Sequence, residues 1–306
     1  MNWVRISDVT MKQGVSLSFK EKIELAKLLD KLDVSVIELE GIRSSKIDSL
    51  RIKSIACAVQ SGIVAVPVQL DEQSVEETWN ALCSAKHPRL QVCASVSSVQ
   101  MEYLYHKKTD AMLQAVSDTV ARCKALCPDV EFVADDATRS DPAFLAQIIS
   151  TAIEKGAGTV TLCDTAGTMM PEEFAGFLNA LYEAVPALKD VCLGVSCANE
   201  LAMADACVVA AVCQGAGEIK TAAYPVNTAS LSNVSRIINT RGNSFDATCS
   251  VRVTQLNRII NQITWMCQTG RSKNSPFENG VQDVEDGFTL TAHDDMTAVL
   301  KSAEKR

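Results

Sequence analysis

The stretch Val130-Glu131-Phe132-Val133-Ala134-Asp135-Asp136-Ala137-Thr138-Arg139-Ser140-Asp141-Pro142 decides the fold reading. Four of its first five residues, Val130, Phe132, Val133 and Ala134, are apolar, which predicts a buried strand over 130–134. The polar run ends in Asp141-Pro142, a capping acid followed by proline at the first helical position, so a helix is predicted over 142–155, closed at Gly156. A second strand follows over 159–163, and a second helix over 171–185 opens on Pro171.

The same unit recurs on both sides. Toward the N-terminus, strands at 4–9, 36–39, 63–70 and 90–96 alternate with helices at 19–32, 50–59, 75–85 and 109–126. Ser18 and Glu21 form a capping-box pattern at the first of those helices. Toward the C-terminus, strands at 191–195 and 218–222 are followed by helices at 201–214 and 226–240. Strands joined through helices pair in parallel. Eight such units in this length predict an α/β fold of the closed (β/α)8 kind, a TIM barrel. A dinucleotide-binding sheet would show G-x-G-x-x-G after an early strand, and the chain has none. The barrel is placed at 1–240, and 241–306 is read as a short C-terminal helical extension, with helices at 251–268 and near 296–303. Working residues are expected at the C-terminal strand ends: 8–14, 38–41, 95–100, 135–139, 164–167, 196–200 and 223–228.

Composition sets the outer limits. The 306 residues are 47% hydrophobic and 22% charged, which excludes a disordered or low-complexity chain. A net charge of −8 with no dense Lys/Arg tract argues against nucleic acid and anionic membranes as partners. No apolar run approaches membrane-spanning length, and the N-terminus lacks the pattern of a signal peptide. The twelve cysteines form no C-x-x-C pair and sit among apolar residues, as reduced thiols of a cytoplasmic protein would. Cys93, Cys163 and Cys197 fall near strand ends and could form a soft-metal or thiol-redox site, with packing as the plainer reading. His87, His106 and His293 are dispersed and read as surface residues.

The Asp135-Asp136-Ala137-Thr138-Arg139 stretch, with Cys163-Asp164-Thr165-Ala166-Gly167 one unit later, resembles the 2-isopropylmalate synthase, homocitrate synthase and HMG-CoA lyase family. There the fifth strand ends in E-D-A-T-R and the sixth in D-T-x-G. The helix from Phe19 to Leu29, the strand Val36-Ile37-Glu38 and the run Met101-Glu102-Tyr103 are also similar to the family. The resemblance extends from Met1 to about Arg241. It implies acyl-CoA and 2-oxo acid chemistry assisted by a divalent metal, held by the last acid of D-x-T-L-R-D-G, both histidines of H-x-H-N-D and often an Asn of the eighth strand. The Arg of R-D-G stabilises enolate charge.

The chain departs from that pattern where it matters most. Its first motif reads Asp8-Val9-Thr10-Met11-Lys12-Gln13-Gly14, so Gln13 replaces the metal carboxylate and Lys12 the Arg. Ser196 and Ala198 replace the histidines, and Thr228, or Asn227 with a one-residue shift, takes the Asn position. Gln100 replaces a histidine after the fourth strand, and Thr289 falls where the family's tail carries another. Neutral oxygens do not make an ordinary divalent site, so no metal and no cofactor are expected, with acetyl-CoA possible as a substrate.

The resemblance leaves Lys12 as the candidate catalytic cation, and Thr138, Arg139, Thr165 and Glu38 as candidate substrate-binding residues. Arg139 either holds a carboxylate ligand or braces a neighbouring acid such as Asp136. Three functions stay open. One is a non-catalytic homodimer or heterodimer subunit paired with an active paralogue. Another is an acyltransferase or lyase with metal-independent chemistry using Lys12 and Arg139. The third is a metal held by unrecognised donors, with Asp8, Asp136 and Asp164 as the carboxylates to test.

Overall fold

The structure, a computed structural model, describes residues 1–43 and 45–269. Eight parallel strands close into a barrel in chain order: β1 Arg5–Asp8, β2 Val36–Glu38, β3 Ile63–Val68, β4 Pro88–Ser95, β5 Val130–Asp135, β6 Thr159–Asp164, β7 Cys192–Cys197 and β8 Glu218–Thr221. The seam between β8 and β1 runs from Arg5 opposite Glu218 to Asp8 opposite Thr221. The helices that follow are α1 Phe19–Lys31, α2 Ser45–Ala58, α3 Glu72–Leu82, α4 Thr109–Leu126, α5 Pro142–Glu154, α6 Pro171–Ala184, α7 Ala204–Cys213 and α8 Leu231–Arg241. The fold is the (β/α)8 barrel predicted from the periodicity.

Local chemistry sets the helix starts. Ser18 and Glu21 make the capping box at α1, and Asp141 accepts from the Phe144 amide at 2.9 Å with Pro142 behind it. Three of the starts that differ from expectation trace to local hydrogen bonds and backbone. The α3 helix begins at Glu72 because Asp71 accepts from the Ser74 amide at 2.8 Å. The α7 helix begins only at Ala204: Ala202 has φ 58°, and Asn199 Oδ1 takes the Ala204 amide. The α8 helix waits for its Ser230 cap because Val226 gives its amide to Gln13 Oε1.

Side chains alternate across each strand. Residues facing the helices, such as Ile6, Ile37, Val66, Phe132, Leu162 and Ile219, are fully buried and apolar. They form one core with the inner helix faces, including Leu29, Ile55, Val116, Ile148 and Phe174. Residues facing the barrel axis are largely polar instead: Ser7, Arg89, Gln91, Glu131, Thr161, Glu218 and Lys220. Gly194 keeps β7 close enough for this interior to pack, since a Cβ there would stand 2.3 Å from Thr161 Oγ1.

Beyond α8 the chain returns to the opposite end of the barrel. Ala247–Thr248 pairs in parallel with Asn2–Trp3, and the Arg252 amide donates to Leu32 O at 2.9 Å. The helix α9, Val253–Thr269, then packs against α1 and α8 through Leu256, Ile259 and Ile263. The expected helix near 296–303, Thr289 and His293 lie outside the described residues. Among the described residues, no helix is long and apolar enough to cross a membrane.

Candidate active site

The barrel axis carries an ion network. Lys220 Nζ lies 2.5 Å from Glu38 Oε1, 2.6 Å from Glu131 Oε1 and 2.9 Å from Glu218 Oε1. Arg89 Nη1 reaches Glu218 Oε2 at 2.8 Å, and its Nε reaches Asp129 at 2.9 Å. Above them, Lys12 Nζ donates to Glu38 Oε2 at 2.9 Å and to Gln91 Oε1 at 3.4 Å. Gln91 Nε2 and Thr161 Oγ1 both donate to Glu131, at 2.8 and 2.6 Å. Ser7 Oγ donates to Glu38 at 2.7 Å. Alternation places these residues: Arg89 and Gln91 stand two apart on β4, and Glu218 and Lys220 two apart on β8, all facing the axis.

Burial alone would favour neutral carboxyls here. It pushes Glu38 up, but Lys12 and Lys220 outweigh it and hold Glu38 well below the usual carboxylate range. Burial likewise opposes the charge on Glu218, yet Lys220 and Arg89 bring it to about 2. The partners keep their charges in turn: burial works against the ammoniums of Lys12 and Lys220, and the facing carboxylates raise both.

The mouth lies one step above this network. Lys12 ends the short turn Thr10–Lys12, and its side chain is 27% exposed. Asp135 closes β5 on the same face as Glu131 and is half-buried. Burial raises Asp135 to about 6; the charge of Lys12 and a hydrogen bond from the Cys163 thiol only partly oppose that rise. Cys93 and Cys163 share this face. Burial pushes Cys93 up to about 12 and Cys163 well above its ordinary value, so both stand as neutral thiols.

The sequence candidates fall into two groups. Lys12 and Glu38 meet at the mouth. Thr138, Arg139 and Thr165 meet instead in the lock between the β5 and β6 loops. Arg139 donates twice to Asp136, from Nε at 2.7 Å and Nη2 at 2.8 Å. The same carboxylate accepts from Ser97 Oγ, and the Asp136 amide donates to Thr165 Oγ1 at 2.9 Å. Thr138 Oγ1 donates to Asp164 at 2.9 Å. Of the two readings of Arg139, the geometry shows the brace.

The position where the resembling family holds its metal offers a poor donor set. Gln13 has given its amide oxygen to the Val226 amide, Ala198 has no donor atom, and Asn227 Oδ1 accepts from the Asn199 amide. Asp8 accepts from Thr10 and from the Ala223 amide, Asp136 from Arg139, and Asp164 from Thr138. These residues do not fit a divalent ion. Among the described residues, the acids that could share an ion are Glu38, Glu131 and Glu218, and Lys220 stands among them.

Lys220, Glu131, Glu218 and Arg89 escaped the motif reading because they belong to no loop signature, whereas Asp135 opened the quoted motif and was passed over for Thr138 and Arg139. Their signal was present in Val130-Glu131-Phe132 and Glu218-Ile219-Lys220, where charges interrupt apolar strands at the strand period.

The HMGL-like family profile matches residues 4–224. The 2-isopropylmalate synthase of Clostridium kluyveri is 31% identical over 275 residues, covering 86% of this chain and 54% of the synthase. That of Oceanobacillus iheyensis is 34% identical over 225 residues, covering 72% and 44%. The chain thus spans about half the length of the curated relatives it matches. Hydroxymethylglutaryl-CoA lyase from Pseudomonas aeruginosa superposes with a TM-score of 0.73 at 15% identity, covering 90% of this chain and 96% of the lyase. An HMG-CoA lyase from Acinetobacter baumannii, in complex with coenzyme A and 3-methylmalate, gives 0.70 at 12% identity, covering 93% and 97%. At these identities the structures establish the shared fold.

Proposed function

The chain belongs to the HMGL-like family, and from that premise we propose that it makes or breaks a carbon–carbon bond next to a carbonyl without a metal, with Lys12 and Asp135 as the working pair. The observation that carries this reading is the half-open Asp135 carboxyl, raised to about 6, in the field of a Lys12 ammonium fixed by Glu38 and Gln91. A carboxylate poised near neutral pH beside a fixed cation suits proton transfer with charge stabilisation. In the condensing direction Asp135 takes a proton from the carbon beside a thioester carbonyl. The C–H bond breaks, its electron pair passes into the enolate, and the new oxyanion faces Lys12. The enolate carbon then attacks the keto carbon of a 2-oxo acid, and the alkoxide recovers the proton. Water next adds to the thioester carbonyl, the C–S bond breaks, and coenzyme A leaves as the free thiol while the product keeps the new carboxylate and a proton passes to solvent. The relatives' names support acyl-CoA and 2-oxo acids as the substrate classes. Arg139, engaged with Asp136, shapes the β5 loop and leaves the reacting atoms to Lys12.

The test is exchange of the acetyl-CoA methyl protons in D2O, followed by NMR, alongside thiol release with a 2-oxo acid present. Exchange is expected to persist in chelator and to fall at least about 100-fold in Lys12→Ala and in Asp135→Asn. Its rate is expected to rise as pH passes about 6, where Asp135 loses its proton. Ligand-induced stabilisation with no exchange and no turnover would sink this proposal. It would favour the second reading, a non-catalytic subunit paired with a copy of itself or an active paralogue.

A further inference from the structure

We infer that Lys220 is the barrel's resident cation: its ammonium fills a tricarboxylate cage that would otherwise take a divalent ion, so the chain carries by covalent attachment a positive charge where a metal would sit. One oxygen from each of Glu38, Glu131 and Glu218 lies within 4.8 Å of the others, the spread of donors around a single ion. An ammonium has three N–H bonds and no acceptor. Here each cage acid takes one contact, at 2.5, 2.6 and 2.9 Å.

The surroundings supply the rest of the coordination. Ser7 holds Glu38, Gln91 and Thr161 hold Glu131, and Arg89 holds Glu218, so each oxygen is aimed before any cation arrives. Lys12, Arg89 and Lys220 balance the three glutamates in charge. Without Lys220 the cage is one positive charge short in a site closed to solvent, and an uncompensated buried carboxylate is costly. Glu38 joins the cage to the mouth, since its second oxygen holds Lys12.

The inference deepens the metal-independent reading, yet its test needs no turnover, so either can fail alone. Wild type, Lys220→Ala and Lys220→Ala/Glu131→Gln are dialysed against Mn2+, and bound ion and melting temperature are measured. Wild type is expected to bind no ion at the cage and to melt unchanged. Lys220→Ala is expected to take up about one equivalent and to melt higher with Mn2+ than without it. The double variant is expected to lose that uptake. Wild type binding as much ion as Lys220→Ala, or a folded Lys220→Ala that binds none, overturns the inference. So does uptake indifferent to Glu131→Gln. If Lys220→Ala does not fold alone, refolding in Mn2+ decides the matter. Recovery with one bound ion supports the cage, and failure of both Lys220→Ala and Lys220→Gln to recover refutes it.

Discussion

Asp8 shows how one side chain carries two opposed effects. Its carboxylate is fully buried and accepts from the Thr10 amide and hydroxyl at 3.0 Å each and from the Ala223 amide at 2.6 Å. These bonds tie β1 to the loop after β8. Burial nevertheless wins over them, and Glu38 adds a like charge, so the group rises from 3.8 to about 7. A raised acid binds its proton more tightly folded than unfolded. Its contribution to stability is therefore whole below pH 4 and is lost as pH climbs toward 7. Replacing Asp8 with Asn removes that titration. Between pH 5 and 7.5, urea unfolding of Asp8→Asn should lose less stability than wild type does, by on the order of 2 kcal/mol. Equal pH slopes in the two proteins would show that Asp8 titrates normally. Asp8 stood in the sequence as the first acid of a motif, but its burial depends on β8, some two hundred residues away, and no local pattern reports that.

At the scale of elements, helices were legible because caps and periodicity are local. Asp141-Pro142 and Ser18 with Glu21 mark two helix starts in the sequence itself, and α5 and α1 begin there. The strands were legible as apolar runs, and their closure followed from counting eight units. The axial network was not, because a charged residue inside a strand reads alike whether it faces the axis or a helix until strand registers are known. Gly194 belongs to this hidden level. It looks like a strand glycine that merely weakens β7, but it stands against Thr161, whose hydroxyl donates to Glu131 at 2.6 Å. In Gly194→Ala the new methyl would meet Thr161 Oγ1 at 2.3 Å and push β7 from β6. The expected cost is about 1–3 kcal/mol by denaturant unfolding. Adding Thr161→Ala should recover part of it, because the atom in conflict is then gone. A double variant less stable than both singles would place the strain elsewhere.

At the scale of the molecule, a closed barrel has one join that chain connectivity does not make: the seam where β8 meets β1. It is held by the Val9 amide to Thr221 O and the Arg5 amide to Gly217 O, both at 2.8 Å, and by Thr221 Oγ1 to Ser7 O at 3.1 Å. The helices beside that seam are α1 and α8, the first and last of the ring, and α9 packs on both. The extension thus straps the seam from outside, while Asn2–Trp3 with Ala247–Thr248 and the Arg252 amide on Leu32 O anchor it at one end. Ile263 is fully buried in this strap. Its truncation to Ala leaves a cavity between α9 and the ring and should cost about 2–5 kcal/mol. If α9 serves the closure, the loss will be uneven. Hydrogen exchange should quicken first at the Arg5, Val9 and Ala222 amides, which lie along or beside the seam, ahead of the Val92 and Phe132 amides on the far wall. Uniform acceleration around the whole barrel would mean that α9 adds to the common core without guarding the seam.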